Sequence, residues 1–488
     1  MRKILSITIG ILICLAAAQA LAEQDGLYTY SINPDNTVTI TGFDWKNNHG
    51  DIYIPEMLGN RVVSAIGEKA FSTTRNTAVK ITLPDNIKSI GEQAFRGVAI
   101  TYVNIPMNTV EIGGGAFAQC TVSRFNVDNK HQVFATIDNA LYNKQSKTLI
   151  AWPENKEISM IPNGIVNIGD YAFYKRSDFP KKTLVLPDTI QSIGEYAFAE
   201  IKPQGNEKNI KIDIKQVSSI EDYAFYQSWI EFTSPLMVAD FGNHCFEGAH
   251  LTLLGERERA KRNHEVYLST VPFKVGDFAF YNCDSYDHNG HTSYDFSLEN
   301  VVSIGKKAFS SDKYRNWNIR TTQGYTTLEF SFLEYIGESA FENNEFDRYS
   351  GYSEDLPDWL GIIILSNSNL TTIPANAFMN ARIQKLRMAN SVKSIDERAF
   401  MNCIYLKDVK LSSNLLMIGD NAFRGCERLN SVTIPKSVTM IGKDVFTGCS
   451  DKLIITVEAG SYGEIWARTS GYAYVVNGQK EDTSWLND

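Results

Sequence analysis

The sequence has none of the short motifs that mark the common enzyme classes. It contains no G-x-S-x-G, no H-E-x-x-H and no glycine-rich phosphate loop. Only seven of its 488 residues are histidine, and none falls in a motif with serine or cysteine partners. Acid–base and nucleophilic catalysis need such partners within hydrogen-bonding reach. The sequence therefore predicts a protein that is not an enzyme and holds no cofactor.

Positive charge is also scarce. The chain has 47 lysines and arginines against 56 aspartates and glutamates, a formal net charge of −9. Nucleic-acid binding depends on a surplus of cationic side chains, so we predict no nucleic-acid partner. C-x-x-C pairs are absent as well, which argues against a zinc knuckle or a dithiol redox site.

Long apolar runs are missing after the first residues. Arg2 and Lys3 precede an apolar run from Ile4 to Ala18, and Ala20-Leu21-Ala22 supplies the small-x-small pattern of a cleavage site. The run is shorter than the roughly 20 residues that a membrane helix needs. Residues 1–22 are therefore predicted to be a signal peptide, and the remaining chain is predicted to be exported without a membrane span.

A repeat governs most of the sequence. Phe400, Phe423 and Phe446 are 23 residues apart, and each ends a block of the form Ile-(Gly/Asp)-x-x-(Ala/Val)-Phe. The same anchor phenylalanine recurs at 71, 95, 117, 173, 198, 225, 246, 280, 309, 341 and 378. A short alternating apolar segment precedes each anchor, which is typical of a strand with one buried side. Because one unit cannot bury its apolar edge alone, about fifteen coils are expected to stack, over ~70 Å at ~4.8 Å per strand.

The repeat unit resembles that of the BspA-like leucine-rich-repeat family of bacterial secreted and surface proteins. The segment from Leu429 to Cys449 carries the matching residues; Val445 stands where alanine is usual. These residues are Leu429, Val432, Ile434, Pro435, Ser437, Val438, Ile441, Gly442, Phe446 and Cys449. The resemblance implies a right-handed β-rich solenoid, with one short strand per coil, short helical turns and a parallel sheet along one face. It also implies export and adhesion, and it brings no catalytic residues.

The ends and interruptions of the repeat indicate further segments. Apolar and polar residues alternate in segment 23–50 as in the two strands of a hairpin. This segment is predicted to cap the solenoid of residues 51–457. A hairpin insertion is predicted at about 128–157. Residues 458–488 lack the anchor and are predicted to form a C-terminal cap and tail.

Four longer spacings between anchors place insertions within residues 247–362. The separations from Phe246 to Phe378 are 34, 29, 32 and 37 residues, and equivalent insertions emerge on one edge of a solenoid. Aromatic residues among polar neighbours are typical of recognition surfaces, although the same rings can simply pack the loops onto the coils. The candidate ligand-binding residues there are Tyr286, Tyr294, Tyr314, Trp317, Tyr325, Tyr349, Tyr352 and Trp359.

One insertion holds the only grouping with the composition of a metal site. The spacing of Asp284, Asp287, His288, His291 and Asp295 matches no known motif, so we interpret the group as a solvated loop and predict no metal. Outward positions of the predicted strands carry mostly small or polar residues, with a basic end at Lys385, Arg387 and Lys410. Arg387 and Lys410 complete the candidate ligand-binding set.

Six cysteines follow the predicted signal peptide, and five of them lie three residues after an anchor phenylalanine. Side chains at equivalent positions of neighbouring coils point in parallel, which suits a disulfide torsion poorly. Buried thiols are therefore expected. Since exported proteins can form disulfides, a Cys403–Cys426 or Cys426–Cys449 bridge stays open as the alternative.

These features predict an exported, adhesin-like binding protein, secreted or held at the cell surface. We expect it to be a monomer that recognises an extracellular protein or glycan through the sheet of the solenoid and the aromatic insertions. Two other roles stay open: a structural scaffold of the periplasm or envelope, and the glycan-capture component of a nutrient-uptake system.

Overall fold

A computed structural model describes most of the chain after the predicted signal peptide. The described residues are 22–48, 50–74, 78–154, 161–176, 179, 183–203, 209–234, 236–253, 271–283, 298, 300–312, 327–344, 362–365 and 368–477. They fall into two compact units, Met1–Asn139 and Ala140–Asp488. Each unit is a stack of coils.

The first unit begins with an antiparallel hairpin and continues as parallel coils. Its strands are β1 (Glu23–Asp25), β2 (Tyr28–Ile32), β3 (Val38–Phe43), β4 (Ile52–Tyr53), β5 (Met57–Leu58), β6 (Arg61–Ile66), β7 (Ile81–Thr82), β8 (Ser89–Ile90), β9 (Tyr102–Asn104), β10 (Glu111–Ile112), β11 (Arg124–Asn126) and β12 (Phe134–Ile137). Strands β1, β2 and β3 pair antiparallel, and β3 then pairs in parallel with β6, which leads to β8 and β10. A second set of parallel pairs joins β4 to β7 and β9 to β11.

The second unit opens with the antiparallel pair β13 and β14 and then repeats the same coil. Its strands are β13 (Ala140–Asn143), β14 (Thr148–Ala151), β15 (Asn167–Ile168), β16 (Leu184–Val185), β17 (Ser192–Ile193), β18 (Ile210–Asp213), β19 (Ser219–Ile220), β20 (Trp229–Phe232), β21 (Asp240–Phe241), β22 (His250–Leu253), β23 (Phe273–Val275), β24 (Val301–Ile304), β25 (Thr327–Glu329), β26 (Tyr335–Ile336), β27 (Ile362–Ile364), β28 (Thr372–Ile373), β29 (Lys385–Arg387), β30 (Ser394–Ile395), β31 (Asp408–Lys410), β32 (Met417–Ile418), β33 (Ser431–Thr433), β34 (Met440–Ile441), β35 (Ile454–Glu458) and β36 (Ala473–Asn477). One helix, α1 (Tyr462–Ser470), lies between β35 and β36.

The predicted leucine-rich-repeat solenoid is confirmed, but the prediction of one strand per coil is wrong. In the second unit, strands such as β29, β31 and β33 hold the expected alternating segment, and two-residue strands such as β30, β32 and β34 follow in the same coils. Both kinds pair in parallel with a neighbouring coil, β29 with β31, β30 with β32 and β32 with β34, so each coil contributes to two sheets. The second strand is only two residues long, which is too short to show a period in the sequence.

The predicted short helical turns at the anchors are also corrected by the structure. In the coil of Phe423, the backbone N–H of Ala422 donates to Gly419 O at 3.3 Å, which closes a turn. Between them Asn421 has a φ of +57°, and a left-handed residue cannot belong to a right-handed helix. The next donor, Phe423 N–H, then reaches Val445 O of the following coil at 3.0 Å. The anchor segments therefore join coils to each other instead of forming helices.

A single file of stacked phenylalanine rings runs through the core of each unit, among buried isoleucine, valine and leucine side chains. In the first unit the ring centroids of Phe71, Phe95 and Phe117 are 5.2 and 5.7 Å apart. In the second unit the file runs without interruption from Phe173 to Phe446, with centroid separations between 4.9 and 5.6 Å. Between Phe280 and Phe378, where the predicted aromatic insertions lie, successive ring centroids are 5.3, 5.4 and 5.2 Å apart. Extra residues between those anchors do not spread the coils.

Glycine follows the isoleucine of many coils because the preceding coil lies too close for a side chain. A Cβ atom on Gly419 would lie 2.6 Å from the backbone nitrogen of Glu397. Separations below 3.0 Å are not observed for real Cβ atoms, so the tight turn of this coil depends on the missing side chain.

The C-terminal end of the second unit is closed by α1. Ser461 caps the helix by accepting a hydrogen bond from Glu464 N–H at 3.2 Å, and Gly471 ends it in the left-handed conformation. Trp466 on this helix packs against Phe446, the last ring of the file, with centroids 6.1 Å apart. The helix thereby covers apolar surface that a further coil would otherwise cover.

Candidate binding surfaces

Two surfaces of the second unit stand out among the described residues. One is the outer face of two adjacent sheets, which contain β29 and β31 in the first and β33, β35 and β36 in the second. The other is a ladder of aromatic rings beside the phenylalanine file. The first contains residues that the sequence predicted, whereas the second was missed.

The outer sheet face follows from simple alternation along the strands. Leu386 in β29 and Val432 in β33 are buried, and their neighbours along each strand point away from the core. Ser431 and Thr433 on either side of Val432 are exposed, and Lys410 at the end of β31 is exposed. The side chains on this face are therefore available to a ligand.

Arg387 and Lys410, two members of the predicted ligand-binding set, lie opposite each other on this face. The parallel register pairs Arg387 with Lys410 and Lys385 with Asp408. Arg387 also forms an ion pair with the carboxylate of Asp408, which lies on the neighbouring strand. The basic end predicted from the sequence thus contains one internal acid.

A tyrosine between two arginines lies just before these strands. The guanidinium carbon of Arg382 is 5.5 Å from the ring centroid of Tyr405, and that of Arg428 is 5.1 Å from it. Arg382 comes from the preceding coil and Arg428 from the following one, so the ring lies between two cations. We call Arg382, Lys385, Arg387, Lys407, Lys410 and Arg428 together the basic face.

The other predicted members of the binding set lie outside the described residues. They are Tyr286, Tyr294, Tyr314, Trp317, Tyr325, Tyr349, Tyr352 and Trp359. The loop with Asp284, Asp287, His288, His291 and Asp295 is likewise beyond the described ranges. Among the residues that are described, no group of three or more His, Cys, Asp or Glu side chains could hold a metal ion.

The aromatic ladder consists of Tyr171, Tyr196, Tyr223, His244 and Phe278. Successive ring centroids are 4.9, 4.7, 4.5 and 4.9 Å apart, with interplanar angles of 16°, 3°, 3° and 6°. The ammonium group of Lys307 lies 6.0 Å from the centroid of Phe278 in the next coil. The ladder is half-buried along its length, with the ring faces covered by each other.

Each ladder residue stands two positions before an anchor phenylalanine, where the backbone is left-handed. Their φ angles lie between +52° and +58°, a conformation that costs an ordinary residue about 1–2 kcal/mol. Other coils place Asn376 or Asn421 there, and asparagine tolerates this conformation better. The aromatic residues therefore offset a backbone cost through their stacking.

A signal for the ladder was present in the sequence, since five consecutive anchors have an aromatic residue or histidine two positions before them. Other coils place asparagine at this position, as at Asn376 and Asn421, so the column is not part of the apolar repeat.

Carboxylates and amides brace the ladder from coil to coil. Asp222 Oδ1 accepts a hydrogen bond from Asn243 N–H at 2.7 Å, and Asn243 Oδ1 accepts one from Asp277 N–H at 2.8 Å. Burial, together with the negative charges that Tyr223 and Glu195 can carry, raises the pKa of Tyr196 to about 12. The phenol groups of the ladder are thus neutral at physiological pH, and its acids are occupied in holding the coils together.

Replacing Tyr223 with asparagine is expected to lower the free energy of unfolding by about 1–3 kcal/mol. The substitution suits the left-handed backbone but removes two stacked contacts, each of which contributes about 0.5–1.5 kcal/mol beyond burial. Chemical denaturation followed by circular dichroism measures the change. Tyr223→Phe is the control, because it retains the ring and should alter stability by no more than about 0.5 kcal/mol. Equal stability of the asparagine and phenylalanine variants would contradict a stabilising ladder.

The cysteines have a structural role that their spacing did not reveal. Thiols three residues after an anchor donate to the carbonyl oxygen of the preceding anchor, as in Cys403 to Phe378 O at 3.1 Å and Cys426 to Phe400 O at 3.3 Å. Ser228 donates to Phe198 O in the same way. None of the six cysteines within the described part of the chain forms a disulfide, and all but Cys449 are buried, as the sequence predicted.

Cys449 is expected to react first with a thiol reagent in the native protein. It is partly exposed, and its pKa is lowered because the Cys426 thiol can turn its hydrogen from Phe400 O to the thiolate of Cys449, so more of Cys449 is thiolate. Burial raises the pKa of Cys403 and Cys426 and keeps them protonated. Timed alkylation at neutral pH followed by peptide mass spectrometry measures the order. Faster labelling of Cys403 than of Cys449 would contradict the prediction, and a Cys449→Ser variant is the control for background.

Within the residues that the structure describes, no helix is long and apolar enough to cross a membrane.

No curated protein matches the chain at a significant level. Several solved structures do match. A leucine-rich repeat protein from Bacteroides ovatus is 18% identical, with 93% of this chain and 99% of that chain covered at a TM-score of 0.43. A leucine rich cell surface protein from Faecalibacterium prausnitzii is 19% identical, with 96% and 98% covered at a TM-score of 0.30.

At these TM-scores the assignment to a family depends on the repeat match. The model of the BspA type leucine rich repeat region matches residues 64–160, 154–255, 265–350 and 360–456, which together make up most of the sequence. Those ranges hold all fourteen anchor phenylalanines, including every ring of the file from Phe173 to Phe446. The chain belongs to the BspA type leucine-rich-repeat family.

Proposed function

We propose that this protein is an exported binding protein, secreted or held at the cell surface, that recognises an extracellular protein or glycan. The proposal is carried by the outer face of the adjacent sheets that contain β29 and β33, where buried residues such as Leu386 alternate with outward charged and polar ones. The opposite side of the same strands is occupied by the core, so the outer face is the side that a ligand can reach. The predicted signal peptide, residues 1–22, supports export.

The predicted insertions extend the same proposal. The coils on both sides of each insertion stack at ordinary distances, so the phenylalanine file continues past all four insertions. We propose that the aromatic residues of these insertions, together with Arg387 and Lys410, contact the ligand. Trp317, Tyr349, Tyr352 and Trp359 are the strongest candidates, because buried aromatic anchors dominate most binding interfaces.

The proposal is tested with the chain from residue 23 onward in a glycan array and in pull-downs from host and bacterial surface extracts. A specific ligand is expected, and binding should fall when Trp317, Tyr349, Tyr352 and Trp359 are changed to alanine. Full binding by that variant would show that these four aromatic residues do not contact the ligand. The Arg387→Gln and Lys410→Gln variants would then test the outer sheet face separately.

Location is tested separately by fractionation and by protease treatment of intact cells. A surface protein is digested, whereas a periplasmic scaffold is protected until the outer membrane is opened. Complete protection of the mature chain inside the envelope would overturn the proposed surface location.

A further inference from the structure

The basic face carries a surplus of positive charge, opposite in sign to the net charge of the whole chain. The protein carries a formal net charge of −9, yet six cationic side chains lie on or directly before β29, β31 and β33, with Asp408 and Glu427 as the acids among them. A local surplus of one sign attracts ligands of the other sign and repels like ones. The chemistry of this face therefore favours an anionic ligand.

The cations of the basic face are held in a regular grid by the sheet. Lys385 and Arg387 are two residues apart on one strand, a distance of about 6.6–6.8 Å, and Lys410 lies beside Arg387 on the next strand, about 4.8 Å away. Alternate residues of any extended peptide are separated by the same 6.6–6.8 Å or so. A peptide with acids at alternate positions thus presents carboxylates at the spacing of Lys385 and Arg387.

Apolar side chains continue the same face beyond the cations. Ile454 on β35 lies opposite Ser431 on β33, and Val475 on β36 lies opposite Thr456 on β35. Ile454 is 44% exposed and Val475 is 51% exposed. An aliphatic side chain of a ligand gains burial against them, because removing apolar surface from water is favourable.

The surroundings of Tyr405 argue for a polypeptide over a polysaccharide. Sugar rings are commonly held on the flat faces of aromatic side chains, but Arg382 and Arg428 lie over the ring of Tyr405 from the coils on either side. No other aromatic side chain belongs to the basic face as defined. Guanidinium groups held in this way suit bidentate contacts with carboxylates.

We infer that the basic face, together with Ile454 and Val475, is a docking surface for an extended acidic polypeptide segment that also carries aliphatic side chains. This inference rests on the proposed function and names the chemistry of its partner. The cations select the acidic residues of the segment, and the apolar end of the face receives its aliphatic ones.

Fluorescence anisotropy with a short labelled peptide of alternating glutamate and valine tests the inference on the chain from residue 23 onward. Binding is expected at low salt and should weaken as the salt approaches about 0.15 M, where the screening length is about 8 Å. Lys385→Gln and Lys410→Gln should each raise the Kd about two- to fivefold, the range for an exposed ion pair. Lys443→Gln is the matched control, because Lys443 is exposed in the turn before Phe446, away from these strands.

Ile454→Ser separates a peptide surface from a simple anion site. It should weaken the Glu-Val peptide about two- to tenfold, given about 0.5–1.5 kcal/mol for a partly buried aliphatic contact, and should leave binding of heparin unchanged. Tighter binding of heparin than of the peptide, with the same lysine dependence, would overturn the inference in favour of an acidic polysaccharide. Equal Kd values for Lys385→Gln, Lys410→Gln and the control would also overturn it.

A second copy of this acidic chain is the remaining occupant to check. Sedimentation of the chain alone at low salt is expected to show no dimer, and a dimer that Lys410→Gln abolishes would overturn the peptide assignment. These outcomes are separate from those of the proposed function. If the array or pull-down yields a ligand whose Kd is unchanged by substitution of Lys385 and Lys410, only the inference about the basic face is overturned. If the chain is protected from protease inside the envelope, only the proposed surface location is overturned.

Discussion

Replacing Phe400 with alanine is expected to lower the free energy of unfolding by about 3–5 kcal/mol, the range for truncating a buried aromatic ring. The ring is fully buried between Phe378 and Phe423, whose centroids are each 5.3 Å away. The substitution removes stacked contacts on both sides and leaves a cavity in the middle of the file. Neighbouring coils contact each other and little else, so they cannot close over the gap by moving inward.

Hydrogen exchange is the most direct measurement for Phe400→Ala, because solenoids can unfold locally and depart from two-state behaviour. Protection should fall mainly in the coils that contain Phe378, Phe400 and Phe423. Phe400→Leu is the matched control and should cost less, since it leaves most of the volume filled. A loss below about 1 kcal/mol, the ordinary effect of a point substitution, would contradict the view that the file holds the coils together.

Replacing Trp466 with alanine is expected to cost about 3 kcal/mol and to promote self-association. Trp466 is partly buried, contacts Phe446 and packs against Tyr472, with centroids 5.9 Å apart. Without the indole, Phe446 keeps only the edge contact with Tyr472, whose ring centroid is 6.1 Å away, and part of the last ring of the file is uncovered. An uncovered solenoid end presents both apolar surface and strand ends to another molecule.

Ile465→Ala supplies the control for the cap, because this residue lies on the same helix and is 66% exposed. Its effect should stay within about 0.5 kcal/mol. Thermal unfolding and light scattering at several protein concentrations measure stability and association together. Similar scattering for the two variants would show that α1 does not protect the end of the second unit.

The anchor phenylalanines show how much of the fold was predictable. Their recurrence predicted stacked coils, and all fourteen lie in the part of the chain that the structure describes, at equivalent places in successive coils. The large insertions did not obscure them, because Phe309 and Phe341 keep the spacing of their neighbours. Large apolar residues at constant places in a repeat have few ways to leave water, which is why the prediction succeeded.

Local backbone conformation was harder to predict. Tyr223 and Arg398 share a left-handed φ although neither residue prefers it, because hydrogen bonds between coils impose the turn. The second strand of each coil, such as Ser394–Ile395, likewise exists only through pairing with its neighbours in the stack. Residue propensities and hydrophobic periodicity describe a segment in isolation. The conformation of these segments is set by hydrogen bonds to the next coil, so neither signal could predict it.

The sequence by itself determined the family, the stacking of the coils and the identity of the core, because burial of repeated apolar residues depends on pattern alone. The tertiary structure decided which surface residues meet. Tyr405 lies between Arg382 and Arg428, and Arg387 lies beside Asp408, across separations of more than twenty residues in the chain. Such contacts depend on the register between coils, and a shift of one residue in a strand would turn these side chains into the core.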